Sequence, residues 1–341
     1  MNMLHASIRV SLGARFSGGL VGGTMAGFVM LRAILGTGTP DGAPPSPRWP
    51  NWRQEYPSAY RGVSVTHGLL SRGLLGMGRR LRDADVLLSG SSHAEFGFSA
   101  AELSADLRRQ GVSAKAYNIG VGWGEGFAFP AALIDRHDLR HKVIIVELFR
   151  VVEPLTEVGR RALHDNAAAV LVRVFNTWLS FAADRALDGI LAQLETKDGQ
   201  VTIARRLDQS LIYRRWADGD VSEYWTPERG RMYFGSNQLF YRPDPNAKAE
   251  ALEPSALRRT LDQNRLRQRD LTLFVTFIPF VFDSGRGHLE AAEQIAASVI
   301  PIRGDKVELC DGAHTNVVGR TIVTDQIAAA LFAYFKGTLF H

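Results

Sequence analysis

The chain has 341 residues, 45% hydrophobic and 22% charged, which excludes a disordered protein and supplies enough apolar surface for one large or two modest globular domains. Lys and Arg number 40 against 35 Asp and Glu, a formal net charge of +5, but clusters such as Arg205-Arg206, Arg214-Arg215 and Arg258 to Arg269 are interleaved with acids and carry no nucleic-acid motif, so nucleic acid is not an expected partner. The single cysteine, Cys310, excludes an internal disulfide and a multi-cysteine zinc site and reads as a small core residue.

Residues 1–38 place Arg9 and Arg15 ahead of an uncharged, glycine-rich stretch from Phe16 to Leu31, which Ala33 to Leu35 extend if Arg32 snorkels. No Ala-x-Ala cleavage site follows, so an uncleaved inner-membrane anchor is preferred to a removed signal peptide. The arginines on its N-terminal side would leave the rest of the chain in the periplasm or otherwise outside the cytoplasm. A soluble amphipathic extension, and hence a cytoplasmic protein, is the alternative. Residues 39–57 contain Pro40, Pro44, Pro45, Pro47 and Pro50, which fix φ and remove donors, and read as a semi-rigid stalk. The globular domain is then 58–341, entered through a basic helical approach around Arg72 to Arg82.

Val86-Leu-Leu-Ser-Gly-Ser-Ser-His93 is an apolar run that stops abruptly in Gly and hydroxyls, the grammar of a buried strand delivering a nucleophile to the carboxyl edge of an open α/β sheet. Ser99-Ala-Ala-Glu102 is a capping box that opens a helix with Leu103 and Leu107 on one face, closed by Gly111. Further β-branched or aromatic runs, Ser113 to Ile119, Val143 to Leu148 and Leu271 to Pro279, predict strands buried on both faces. Leu289 to Val299 and Ile322 to Phe335 predict helices, so strands and helices alternate as in a parallel, doubly wound sheet. Between about 153 and 264 the pattern turns to long helical runs and a mixed aromatic-polar stretch, a largely helical insertion at the sheet's carboxyl edge. Trp216, Tyr224, Trp225, Tyr233, Phe234 and Phe240 within it read as a small core, with stacking on sugar rings as the functional alternative.

A serine needs a base to remove its proton. Of the nine histidines, His314 stands apart in Asp311-Gly-Ala-His314, where an Asp three residues before the ring on a tight turn can hold its tautomer. Ser92, Asp311 and His314 are therefore the expected catalytic set. His93 beside the nucleophile, and Arg150 just past the third strand, are candidate substrate contacts, each with a plainer reading as a turn residue and a surface arginine. No P-loop, Rossmann glycine fingerprint or metal motif appears, so no cofactor or metal is expected.

These blocks resemble the SGNH (GDSL-type) hydrolases. Gly90-Ser91-Ser92 is similar to their first block, with Ser91 where an Asp usually stands; Asp311-x-x-His314 is similar to the last. Tyr117 to Gly124 resembles the second block, whose glycine amide helps form the oxyanion hole, and Gly122 and Gly124 compete for that role because the spacing is shifted. The third block normally carries an Asn after a strand, and Val143 to Arg150 has none. The resemblance covers roughly 84–149 and 270–335 and is nearest to the polysaccharide and teichoic-acid acylation proteins of bacterial envelopes. It implies a three-layer, flavodoxin-like α/β fold and acyl-enzyme chemistry, as an esterase or O-acyltransferase, on acylated carbohydrate, with a membrane-bound protein as a possible acyl donor. The second class is a catalytically inactive relative that binds polysaccharide or assists envelope assembly.

Overall fold

Four of the apolar runs fold as neighbouring strands of one parallel sheet. The computed structural model describes residues 53–60, 63–122, 124–198, 211–225, 241–244, 247, 250–310 and 312–337; the expected anchor, most of the stalk and Asp311 lie outside them. The sheet comprises β3 (Val86–Ser89), β4 (Ala116–Asn118), β5 (Val143–Glu147), β8 (Thr272–Thr276) and β9 (Ser298–Val299), in the order β4-β3-β5-β8-β9. Every residue of β3, β4 and β5 is buried, as expected for strands covered on both faces. The register sets Ser89 opposite Val146 and Glu147 opposite Thr276, so β3, β5 and β8 end level and their following loops leave from one edge. From β3 the chain moves outward to β4 and then returns to β5 on the other side. The crevice of such a sheet lies at that reversal, beyond the ends of β3 and β5.

The helices are α1 (Thr66–Arg72), α2 (Met77–Asp83), α3 (Ser92–Gly97), α4 (Ala100–Arg109), α5 (Ala128–Arg136), α6 (Glu157–His164), α7 (Ala167–Asp198), α8 (Pro254–Leu261), α9 (Gln263–Arg267), α10 (Arg286–Gln294) and α11 (Val317–Phe335). The capping box forms as expected, the Ser99 hydroxyl accepting from the Glu102 amide, and Gly111 follows α4 with φ +84°. Helices α4 and α11 pack on each other. The final helix starts earlier than expected. Asn316 caps it by accepting from Gly319, and Gly319 sits in the first turn because a Cβ there would lie 2.0 Å from the Glu308 carbonyl oxygen. Residues 298–299, expected as the end of a helix, instead form edge strand β9: α10 stops at Gln294 and Ala296 takes φ +55°.

A second sheet was not expected. It is antiparallel, in the order β2-β1-β6-β7, with β1 (Glu55–Tyr60), β2 (Val63–Ser64), β6 (Leu211–Arg215) and β7 (Val221–Trp225). Glu55 to Pro57, expected as stalk, are therefore strand, with a bulge between Pro57 and Ala59. The insertion is accordingly helical at its two ends, α6 and α7 first and α8 last, with β6 and β7 between them. The chain divides into two compact units, 46–177 with 208–341 and 1–45 with 178–207. No described helix is long and apolar enough to cross a membrane.

The β6–β7 hairpin is locked to the parallel-sheet layer by Asp220, which is fully buried. Its carboxylate accepts from Ala100 N at 2.8 Å, Ala101 N at 3.1 Å, the Ser99 hydroxyl at 3.1 Å and Arg215 Nη2 at 2.7 Å. An anion on the first amides of α4 meets the positive end of that helix. Asp220→Ala should lower unfolding stability by about 3 kcal/mol, since charge-assisted hydrogen bonds are lost and donors are left buried; urea denaturation checks this.

Candidate functional site

β3 ends in Ser89, and Gly90 turns the chain with φ +146°. A Cβ on Gly90 would lie 2.8 Å from Glu147 Cβ and 2.9 Å from Ala94 Cβ, so only glycine fits where the turn crosses β5 and α3. Ser91 then caps α3, its hydroxyl accepting from His93 N at 3.3 Å. Ser92 is the first helical residue, half-buried at the carboxyl edge where a nucleophile was expected.

The two competing glycines separate cleanly. A Cβ on Gly122 would lie 4.0 Å from Ser92 Cβ, whereas one on Gly124 would meet the Arg150 guanidinium at 2.6 Å. Gly122 therefore borders the serine and Gly124 borders Arg150. The Gly122 amide, however, donates to the carboxylate of Glu95, the residue one turn along α3 from Ser92. Arg150 leaves the same edge with φ +58°, exposed, its guanidinium 5.4 Å from the Phe149 ring centre.

His314 reaches this place from the other end of the chain. Its ring is edge-on to Phe96 at 4.8 Å and to His93 at 5.9 Å, and its loop is tied to α3 by the Thr315 hydroxyl donating to Phe96 O at 3.1 Å. Cys310 N donates to His314 O at 2.8 Å, closing the turn, and Cys310 itself is buried as expected. Asp311 lies outside the described residues. His93 is buried, stacked on Phe149 at 4.1 Å and edge-on to Phe280 at 4.7 Å, which makes it part of a ring cluster beneath the edge.

Two buried acids and one buried arginine escaped the sequence reading. Glu147, at the end of β5, occupies the stretch where the third-block Asn is missing. One of its oxygens accepts from Phe149 N at 3.0 Å, and it also bonds to the Ser91 hydroxyl and the Ile278 amide. Burial pushes its carboxyl up to about 8, so it is mostly protonated at neutral pH. Its contacts brace the turn that presents Ser92. Glu95 is also buried, and burial holds its carboxyl above the usual carboxylate range, with Arg214, His67, the Gly122 amide and His314 opposing that rise without cancelling it. Arg214 is 1% exposed and comes from β6 of the insertion. Its guanidinium donates to Gly120 O at 2.6 Å, Asn118 O at 2.7 Å and Gly219 O at 2.7 Å and pairs with Glu95 at 3.3 Å. Its signal was faint: one of two adjacent arginines in an amphipathic stretch.

A serine-histidine-acid line does form elsewhere. Ser64 Oγ lies 2.9 Å from His67 Nδ1, and His67 Nε2 lies 3.5 Å from Glu125, which the Thr156 hydroxyl also contacts. Histidine and acid are 1% and 0% exposed, and the serine sits on the ring nitrogen that the acid occupies in a triad, so the line is a structural tie.

The insertion's aromatic residues divide. Trp216 stacks on Tyr56 at 4.2 Å, a core contact, while Tyr233, Phe234 and Phe240 lie outside the described residues. No protein-family model matches the chain, and neither a curated protein nor a solved structure matches it.

Two outcomes follow from the buried acids. Glu147 holds its proton more tightly folded than unfolded, so its stabilising contribution is full below its ordinary value of 4.5 and is lost as pH rises to about 8. Glu147→Gln should leave stability near wild type at pH 4.5 and exceed it by up to about 5 kcal/mol above pH 8, as read from urea midpoints across that window. Arg214→Met should cost about 3–5 kcal/mol by stranding the Glu95 charge, and adding Glu95→Gln should recover part of it in a double-mutant cycle.

Proposed function

We propose that the protein is a serine acyl-transfer enzyme of the SGNH type, with a three-layer flavodoxin-like domain, acting on acylated envelope or extracellular polysaccharide as an esterase or O-acyltransferase. The observation that supports it most is that Gly122 lies beside Ser92 on α3 while His314 is held against Phe96 of the same helix, three positions far apart in sequence. The sheet order, second-first-third-fourth-fifth along the chain, is that of flavodoxin-like domains, and their ligands sit where β3 and β5 part. In this reading His314, oriented by Asp311, takes the Ser92 proton as the oxygen attacks an ester carbonyl. An acyl-enzyme forms as the alcohol leaves with that proton, and water or a sugar hydroxyl then accepts the acyl group. The substrate class, the membrane anchor and an extracytoplasmic location rest on the resemblance and on residues 1–57.

A second reading, an inactive polysaccharide-binding relative, is favoured by one observation. The Gly122 amide, the natural oxyanion donor beside Ser92, is engaged by the Glu95 carboxylate.

A fluorophosphonate or an aryl acetate separates the two. Under the catalytic reading Ser92 is labelled or acylated, Ser92→Ala removes labelling, and His314→Ala slows it at least ~10³-fold. Wild type that resists both reagents while binding polysaccharide establishes the second reading.

A further inference from the structure

The turn after β8 carries a second group of chemistry-bearing residues, apart from Ser92. Asp283 and His288 are 3% and 4% exposed. Asp283 Oδ2 and His288 Nδ1 face each other at 3.6 Å, and neither atom has a hydrogen-bond partner among the described residues. Glu250, from the segment that ends the insertion, brings a carboxylate oxygen so that one ligand atom from each of the three residues lies within 4.8 Å of the others.

Buried polar atoms ordinarily find partners, and two adjacent ones without any call for a shared ligand. The spacing suits a metal: two donors each about 2.1 Å from a tetrahedral zinc ion lie about 3.4 Å apart. The surroundings also hold the ligands in place. Gly285 N donates to Asp283 Oδ1 at 2.7 Å, which leaves Oδ2 turned toward the histidine. The His288 ring lies 4.7 Å from that of Phe277, and Gly285, at φ +75°, admits no side chain because a Cβ would come within 2.1 Å of the Phe277 ring. Glu250 is seated by its backbone: a Cβ on Gly287 would lie 2.2 Å from the Glu250 carbonyl oxygen.

We propose that Glu250, Asp283 and His288 bind one divalent transition cation, zinc being the ion that fits best, with water completing the coordination. One imidazole and two carboxylates favour zinc or manganese over magnesium and calcium, which prefer oxygen-only sets. The ion clips the end of the insertion to the turn after β8. The site does not depend on the acyl-transfer reading, and no sequence motif announces it because its three ligands stand at no regular spacing.

The test uses the full-length protein, stripped by chelator dialysis and titrated calorimetrically with Zn²⁺, with Mn²⁺ and Mg²⁺ in parallel. The expected result is one zinc ion per chain, weaker manganese binding, no magnesium binding, and a thermal midpoint raised by saturating zinc. Glu250→Gln, an exposed substitution that leaves the fold intact, should weaken zinc at least ~10-fold, and Asp283→Asn more. Failure of stripped wild type to bind zinc overturns the proposal. So does zinc binding that both variants retain unchanged, since the ion then sits elsewhere.

Discussion

A single buried guanidinium holds the candidate site together. Arg214 reaches from the second sheet into the loop after β4, where it satisfies the carbonyls of Asn118 and Gly120 and meets the carboxylate of Glu95. Removing such a charge from water is costly unless every donor is used and the charge is matched. Here the fork is taken by three carbonyls and one acid, from three different stretches of chain. The consequence is geometric. The glycine loop, the serine helix and the insertion cannot shift independently without stranding a buried polar group.

The same economy of space appears in the glycines. At Gly120 a Cβ would come within 2.6 Å of Glu95 N, and at Gly90 it would press on β5 and α3. Backbone therefore packs directly on backbone around α3. Asn118 reinforces this, its amide donating to Ala94 O and Phe98 O at 3.2 Å each while its oxygen accepts from Gly120 N at 2.9 Å. Serine, glycine loop and histidine loop are thus fastened to one short helix from three directions.

Local signals made much of this legible. Strands β3, β4 and β5 are apolar runs buried on both faces and β8 is one buried over its second half, which need no knowledge of their partners, and the Ser99–Glu102 box and Gly111 mark α4 by purely local chemistry. What escaped depends on distant pairing. The second sheet joins residues 55–64 to 211–225, and neither half shows a long apolar run; β1 even contains Pro57. β9 is two residues of edge strand following a helix-forming sequence, so a helix period runs into it unopposed. Arg214 and Glu147 are polar residues whose roles come from burial, and burial is a property of the assembled layers.

The two buried acids of the site then divide its electrostatics. At Glu147 the largest influence is burial, opposed by hydrogen-bond donors and reinforced by the repulsion of Asp283, so burial prevails and it keeps its proton. Glu95 is buried as deeply but faces Arg214, with His67 and His314 also favouring its charge. A neutral carboxyl beneath the serine turn adds no negative potential where an alkoxide or oxyanion would develop, whereas an ionised Glu95 one turn from Ser92 would oppose it. The pairing of Glu95 with Arg214 offsets much of that opposition. It leaves the Gly122 amide as the pivotal group: the donor beside Ser92 either stays with the carboxylate or turns toward a substrate oxygen. Under the acyl-transfer proposal that N–H must turn to the oxyanion, and under the binding proposal it stays on the carboxylate.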